Sequence, residues 1–566
     1  MYSKSKNLLI VILLSILAIL PWIGLNSFYT KGEPREALVP QAMLETGNWI
    51  LPQRYGDAFA TKPPFMHWFS ALVSLPAGEV TEWSARLPVA LSGIGIIIMT
   101  FMFFAGRVSN RQNLIAALLL LTSFEMHRSS MEARVDMPLT FFMLCGMYLL
   151  YKRYENGMKG YSIPIVLSLS AAFLIKGPVG AVLPLGIYGL FLLYKRINFG
   201  KIFIDAATLG LFTLILPGIW YFAAYKTGSQ EFIDTIYTEN MARMTGAEDT
   251  GHKGPVYIHI VYLLMGFIPW GILLLLSLFN IKKAYKKEDK NILASLRDKF
   301  NNQSAIVQYT WIAAVTVILF YSIPTSKRPV YTLPSYPFFA ILFAQWFSYL
   351  IDNKKKTVSI VCLFLSIIAF IAMIITLSSS WGLIDLISLG EKLRLDKETM
   401  FNLNIIQPLW EENLWYSYIL ISLTLIACIQ VFRSFHKRNF QSMFYGAIGV
   451  MFCMNLYLDA YVLPAIKNGM SLKEFALETK SLAGNNTIYM PSYNSLRFYV
   501  INYYQHNQLK DFEKLKPVNG YMYIADFNYD EIVNTNPDYN FEIIKQTPHR
   551  YNDLRKVVYF VKFDKK

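Results

Sequence analysis

The chain has 566 residues and a formal net charge of +15, yet only 16% of its residues are charged and 54% are hydrophobic. A soluble globular chain has about 25% charged residues, so the composition excludes that class and indicates an integral membrane protein. The four cysteines lie in apolar runs without metal-ligand spacing, which indicates buried apolar side chains rather than a disulfide or metal framework.

Apolar runs, taken in chain order, predict the membrane crossings, each of which needs about 20 apolar residues. The first run follows Lys4 and Lys6 and lacks a small-residue cleavage site, so we predict an uncleaved first helix. The whole set of about 13 predicted crossings comprises 8–25, 87–104, 114–124, 137–150, 165–175, 179–193, 202–225, 256–278, 306–323, 336–351, 358–377, 414–432 and 444–462.

Positive charge alternates between successive loops. Every second loop is rich in Lys and Arg and poor in acids, the pattern of cytoplasmic loops. The N-terminus is then cytoplasmic, and the basic excess needs no nucleic-acid partner. The basic loops contain Lys4 and Lys6; Arg107 and Arg111; Lys152, Arg153 and Lys159; Lys195, Arg196 and Lys201; Lys282, Lys283, Lys286 and Lys287; Lys354, Lys355 and Lys356; and Arg433, Lys437 and Arg438.

The remaining loops mix acids, cations, histidines and aromatic residues, and by the alternation they all face the outer side. The longest before the C-terminal segment lies within 27–85. Strand-like runs at 487–490, 521–524 and 557–563, with a helix-like run around 496–504, predict a small soluble α/β domain. We therefore predict a transmembrane domain over 1–464 and an outer-face, periplasmic domain over 465–566.

The first outer loop contains the stretch EPREALVPQAMLETGNWI. This pattern predicts a short helix along the membrane, interrupted near Pro40 and ended by Gly47. Glu33, Arg35 and Glu36 lie at its start. The alternative interpretation is a solvated interfacial loop whose charges avoid lipid.

Other charged residues lie at predicted helix junctions of the same face. Lys62, fixed before two prolines, suits a phosphate group, although a snorkelling lysine is the alternative. Asp136 starts a predicted helix, where an acid is also a common cap. Together such cations and carboxylates fit a lipid-linked phosphate substrate, with a carboxylate as base. The further members are Lys176, Glu239, Arg243, His252, Lys253 and Lys327.

Over about residues 8–350 the chain resembles the GT-C superfamily of polytopic glycosyltransferases. It is similar in particular to the bacterial aminoarabinose transferases and the protein mannosyltransferases. The stretches that carry the resemblance, in the family's order, are EPREALVPQAMLETGNWILP, KPPFMHWFSAL, TEWSARLPVAL, VDMPLTFF, LIKGPVGAVLP, ENMARM, HKGPVYIH, IPWGILLL and SIPTSKRPVYTLPSYPFFAIL.

The resemblance implies a transferase that moves a sugar from an undecaprenyl-phosphate donor to a lipid A, glycan or protein acceptor, with inversion. It implies action at the outer face of a bacterial cytoplasmic membrane. A carboxylate would activate the acceptor, and cations or a divalent metal ion would stabilise the leaving phosphate. The implied catalytic candidates are Glu33, Asp136 and Glu36; the phosphate-binding candidates are Arg35, Lys62, Lys176, Arg243, Lys327 and Tyr331; and the metal-ligand candidate is His252.

Two positions depart from the family pattern. Relatives have Asp-Glu where this chain has Gly32 and Glu33, and often Glu where it has Thr61 before Lys62. Glu33 is therefore the first candidate for the base, ahead of Glu36 and Asp136. A transporter or flippase of a lipid-linked glycan is the alternative function, but we find neither internal repeats nor midplane charges typical of transporters.

Overall fold

The structure is a computed structural model that describes residues 2–52, 62–245, 254–284, 292–492, 498–547 and 557–566. Helices dominate the chain up to residue 483, and a small sheet lies near its C-terminal end. The predicted helical membrane protein with a small C-terminal α/β domain is thus confirmed at this level. The boundary near 464 stays a prediction, and the helical path continues through α22 to Gly469.

Fifteen helices of the described residues, interrupted by short turns, form the first part of the fold. Most are joined by loops of a few residues, so that successive helices pack against one another. They are α1 Tyr2–Ile19, α2 Gly32–Thr46, α3 Phe65–Ser74, α4 Glu82–Phe104, α5 Asn110–Thr122, α6 Phe124–Ser129, α7 Asp136–Glu155, α8 Ser162–Lys176, α9 Val179–Tyr194, α10 Phe199–Thr213, α11 Ile215–Thr245, α12 Ile258–Gly266, α13 Trp270–Ala284, α14 Ile292–Asn301 and α15 Ala305–Ser322.

A 3-10 turn at Pro329–Ser335 leads into the second group of helices. A π-helical turn at Leu458–Val462 connects the last two helices of this group. The helices are α16 Tyr336–Asn353, α17 Lys355–Ser380, α18 Leu386–Lys392, α19 Lys397–Glu411, α20 Trp415–His436, α21 Phe440–Tyr457 and α22 Leu463–Gly469.

Within the described residues, seven helical stretches are long and apolar enough to cross a membrane, or eight if the bent pair α12–α13 is one span. Several predicted crossings form helices shorter than a bilayer requires, such as the 15-residue α8 and the 16-residue α9. The count of about 13 therefore stays a prediction. The seven stretches are Ser5–Trp22, Glu82–Phe104, Phe199–Thr238, Ala305–Ser322, Lys355–Ser380, Trp415–His436 and Phe440–Gly469.

The position of α4 explains how the first outer loop is supported. About two thirds of its apolar window, 67%, is buried in the protein, against 22% for α1. Helices α1, α3, α5 and α7 pack around it. Because α4 is central, its N-terminal part provides a fixed base against which α2 and α3 pack.

The C-terminal domain is a five-stranded mixed sheet with strand order β2-β1-β3-β5-β4. Parallel pairs join β1 to β2 and β3, while β5 pairs antiparallel with β3 and β4. The predicted runs match β1, β3, β5 and α24. The elements are α23 Lys473–Ala483, β1 Ile488–Met490, α24 Tyr499–Tyr504, β2 Lys510–Asp511, α25 Phe512–Leu515, β3 Asn519–Ala525, α26 Asp526–Thr535, β4 Tyr539–Gln546 and β5 Val558–Lys565.

Helix α24 attaches this domain to the first outer loop. The Tyr504 hydroxyl accepts from the Phe28 amide at 2.9 Å and donates to Glu82 Oε1 at 2.8 Å. The Tyr503 hydroxyl donates to the Val80 carbonyl at 2.5 Å, and its ring meets Phe28 edge to face at 4.8 Å. The sheet domain therefore packs against α2, whose Leu38 belongs to the shared apolar cluster.

Candidate active site

Helix α2 carries the charged stretch of the first outer loop and is mostly buried rather than laid out on a surface. The helix continues through Pro40, so the predicted interruption there is wrong. Gly47 ends it, as predicted, with φ 69° and an amide that donates to the Met43 carbonyl. Glycine adopts this left-handed backbone at little cost.

Glu33 is fixed in a bidentate ion pair with Arg86 of α4. Its Oε1 accepts from Arg86 Nε at 2.7 Å and from the Ala133 amide at 2.8 Å, while Oε2 accepts from Arg86 Nη2 at 3.0 Å. Burial by itself raises the pKa of the Glu33 carboxyl, but Arg86 outweighs it and lowers that pKa below its usual value. A carboxylate so satisfied is poorly disposed to take a proton from a substrate.

Arg86 also binds the segment that follows the first membrane helix. Its Nη1 donates to the carbonyls of Ile23 and Asn26 at 2.7 and 2.6 Å. Both Arg86 and Glu33 are almost entirely buried, at 2% and 3% exposed. The pair thus joins α2, α4, the segment that follows α1 and the segment that precedes α7, and a structural role follows from its geometry.

Glu36, one helical turn after Glu33, is the centre of a second cluster. Its Oε1 accepts from Lys62 Nζ at 2.5 Å and Arg35 Nη2 at 3.0 Å. Its Oε2 lies 3.1 Å from His67 Nε2. Burial raises the pKa of the Glu36 carboxyl, but Lys62, His67 and Arg35 together hold it well below its usual value.

Lys62 is the most perturbed cation of this cluster. Burial lowers the pKa of its ammonium group, Glu36 opposes that effect, and Arg35 and Lys176 add to it, so the pKa falls to about 8. The side chain is still 21% exposed. This pKa lies only slightly above neutral pH. An anionic ligand would therefore stabilise the charged form of this partly desolvated lysine.

Asp136 and Lys176 form a third pair beside Lys62. Asp136 begins α7 and Lys176 ends α8, and Lys176 Nζ lies 2.5 Å from Asp136 Oδ1. The ammonium also lies 4.6 Å from the centre of the Tyr331 ring, which stacks on Tyr321 at 5.2 Å. The predicted site residues close to Lys62 are thus Arg35, Glu36, Asp136 and Lys176. The Tyr331 ring lies against Lys176.

The other predicted residues lie elsewhere or outside the described side chains. Lys327 is 4% exposed and donates to the carbonyls of Ser322 and Pro324, so its ammonium faces the backbone. Arg243 lies in α11, but its side chain is outside the described set. His252 also lies outside the described residues.

His67 and Arg86 were missed by the sequence interpretation, although both stand in stretches that carry the family resemblance. His67 comes five residues after Lys62 and is 1% exposed. Its nearness to a lysine fixed by two prolines was the available signal. Arg86, a charge inside an apolar helix, was another, because such residues are costly to bury unless paired.

A metal site was an expectation drawn from the resemblance. Among the described residues, no group of three or more His, Cys, Asp or Glu side chains could hold a metal ion. Glu36 and His67 are held by each other and by cations, which leaves no set of ligands there. We assign no step to a metal ion.

Known proteins resemble this chain in sequence and in fold. Residues 61–221 match the family described as dolichyl-phosphate-mannose-protein mannosyltransferase. An uncharacterized protein of Aquifex aeolicus (strain VF5) is 30% identical over 349 residues, which cover 60% of this chain and 72% of that protein. The undecaprenyl phosphate-alpha-4-amino-4-deoxy-L-arabinose arabinosyl transferase of Shewanella sediminis (strain HAW-EB3) is 24% identical over 392 residues, 66% of each chain.

Among solved structures, ArnT from Cupriavidus metallidurans bound to undecaprenyl phosphate superposes with a TM-score of 0.69. It covers 98% of this chain and 97% of that one at 16% identity, so the shared feature is the fold. Fold and sequence matches together define the class as a membrane glycosyltransferase. Within that class, the chain belongs to the GT-C superfamily and resembles the bacterial aminoarabinose transferases and protein mannosyltransferases.

Proposed function

We propose that the protein transfers a sugar from an undecaprenyl-phosphate-linked donor to an acceptor at the outer face of a bacterial cytoplasmic membrane. The observation that carries this proposal is the convergence of Arg35, Lys62 and Lys176 on two carboxylates, Glu36 and Asp136. Three cations face two acids there, so the cluster has an excess of positive charge for a phosphate.

In the proposed reaction, Lys62 and Arg35 bind the donor phosphate and Lys176 adds its field. The acceptor oxygen attacks the anomeric carbon from the face opposite the phosphate, which inverts the configuration. The bond from that carbon to the phosphate oxygen breaks, and the electron pair stays on the polyprenyl phosphate. Fixed cations stabilise this developing charge without reorganisation.

A carboxylate takes the acceptor proton in this scheme. Glu36 is the best placed candidate, because its partners are side chains that also face the proposed phosphate position. Asp136, whose carboxylate is paired with Lys176, is the second. Glu33 keeps a structural role with Arg86. Lipid A, another envelope glycan and protein are the acceptor classes, each with a nucleophilic oxygen.

Purified protein in detergent, with a labelled undecaprenyl-phosphate sugar and total envelope lipids, glycans and proteins as acceptors, tests the proposal. Transfer of label without a membrane gradient supports it, and mass spectrometry identifies the acceptor. Movement of the intact lipid-linked sugar across a vesicle membrane, without transfer in detergent, would instead establish a flippase.

A further inference from the structure

The partners of Glu36 differ in how firmly they are held. Arg35 and Lys62 share one carboxylate oxygen, Oε1, and are 35% and 21% exposed. His67 faces the other oxygen, Oε2, from the body of α3 and is 1% exposed. The two cations have long flexible side chains that can turn toward a ligand, whereas the buried ring cannot move without disturbing α3.

We infer that a donor phosphate draws Lys62 and Arg35 away from Glu36 Oε1, and that His67 then holds the freed carboxylate in position as the base. His67 is a positioning residue in this inference, which rests on the proposed function. With Nε2 protonated, the imidazole donates to Oε2 and leaves Oε1 to face the acceptor. Glu36 thus becomes a base only after the donor has bound.

Charge at the cluster agrees with this order. In the free protein Lys62 is the strongest of the cationic influences that lower the pKa of Glu36. A phosphodiester that pairs with Lys62 and Arg35 removes most of that influence, so the Glu36 pKa rises toward its ordinary range and the carboxylate becomes more basic. The charged groups that face Lys62 from the neighbouring helices are Lys176 and Asp136.

The proton and electron count closes without another reactant. The acceptor O–H proton moves to Glu36 Oε1 as the acceptor oxygen bonds to the anomeric carbon. The bond to the donor phosphate breaks, and its electron pair remains on the polyprenyl phosphate, which Lys62 and Arg35 hold. When that product leaves, both cations return to Glu36, favour its deprotonation and reset the site.

Two substitutions separate positioning from folding. His67→Phe removes the donor to Glu36, and His67→Gln keeps an N–H donor at a similar reach. Ser70→Ala, one turn further along α3 and equally buried at 1% exposed, is the matched control. Binding of undecaprenyl phosphate, kcat at saturating donor and the acid limb of the kcat profile are measured for each.

We expect His67→Phe to bind undecaprenyl phosphate like wild type but to lose about 100-fold in kcat, the usual scale of base catalysis. Its acid limb should move to higher pH, because the hydrogen bond from His67 lowers the Glu36 pKa and its loss lets that pKa rise. His67→Gln should stay within about tenfold of wild type, and Ser70→Ala should match it. A merely structural His67 would not move the acid limb.

An unchanged kcat and acid limb in His67→Phe would overturn the inference, as would a loss of phosphate binding equal to the loss of kcat. If His67→Phe does not fold, His67→Gln decides: retained rate supports the inference, and a loss beyond about 100-fold overturns it. The proposed function fails separately, because it requires transfer by wild-type protein whatever the His67 variants do.

Discussion

A β-carbon on Gly32 would lie 2.7 Å from Nη2 of Arg134, so this guanidinium rests against the backbone where α2 begins. The family resemblance expects an acid at this position, and the structure has a cation over it. Arg134 is also paired with Glu132, at 3.1 Å. The acid that the family pattern expects is therefore absent at Gly32, and the Arg134 guanidinium fills the space beside this residue.

Gly32→Asp should form an ion pair with Arg134 once the flexible side chain shifts. The pair is partly exposed, with Arg134 at 35%, so the gain in unfolding free energy should be at most about 1 kcal/mol. Thermal melting in detergent is measured for Gly32→Asp, for Arg134→Gln and for the double variant. The three values give the coupling free energy between the introduced aspartate and Arg134. An equal effect of the aspartate with and without Arg134 would contradict the pairing.

Glu33→Gln should damage folding rather than chemistry. It leaves the buried Arg86 charge with only carbonyl and amide partners, which costs about 3–5 kcal/mol. Low yield and a lowered melting temperature are expected, and Glu33→Gln with Arg86→Gln should recover part of the loss. A well-folded Glu33→Gln protein that cannot transfer sugar would instead support the sequence prediction that Glu33 is the base.

Glu36→Gln provides the contrasting outcome at the neighbouring acid. The amide keeps the shape of the side chain, so the protein should fold and bind undecaprenyl phosphate. Transfer at saturating donor should fall by about 100-fold or more, because the proton acceptor is lost. Asp136→Asn measured in parallel is the comparison, and full activity of Glu36→Gln would transfer the proposed role to Asp136.

Binding of the donor phosphate should weaken at alkaline pH. Lys62 has a pKa of about 8, so its ammonium is present below that pH and is lost as the pH rises through it. The Kd for undecaprenyl phosphate should then rise up to about tenfold per unit above about pH 8. Lys62→Arg, charged throughout, should remove this dependence. A wild-type Kd that is flat to about pH 10 would argue against Lys62 as a phosphate ligand.

Tyr504→Phe should loosen the C-terminal domain from the first outer loop. The hydroxyl accepts from the Phe28 amide and donates to Glu82, so its loss leaves buried groups unsatisfied and costs about 1–3 kcal/mol. Faster limited proteolysis between the domains is expected. Lys545→Ala removes only the exposed pair with Glu478 and serves as the control, with a change under about 0.5 kcal/mol.

In the C-terminal sheet domain, the sequence pattern predicted some strands and missed others. Strands β1, β3 and β5 could be predicted because their apolar residues are buried in the sheet. Strand β2 has two residues, and β4 is an edge strand with mostly exposed or half-exposed residues. Neither has a periodic signal, since pairing with a neighbour rather than burial defines them.

The sequence by itself determined the membrane class and the family resemblance, because hydropathy and short motifs are local properties, whereas the outer-face grouping of the charged loops stays a prediction from loop charge. Only the tertiary structure decided what each acid does. Glu33 and Glu36 share one short stretch, yet Glu33 pairs with Arg86, 53 residues away, and Glu36 with Lys62 and His67, 26 and 31 residues away. Such contacts depend on how α2, α3 and α4 pack, which no local pattern encodes.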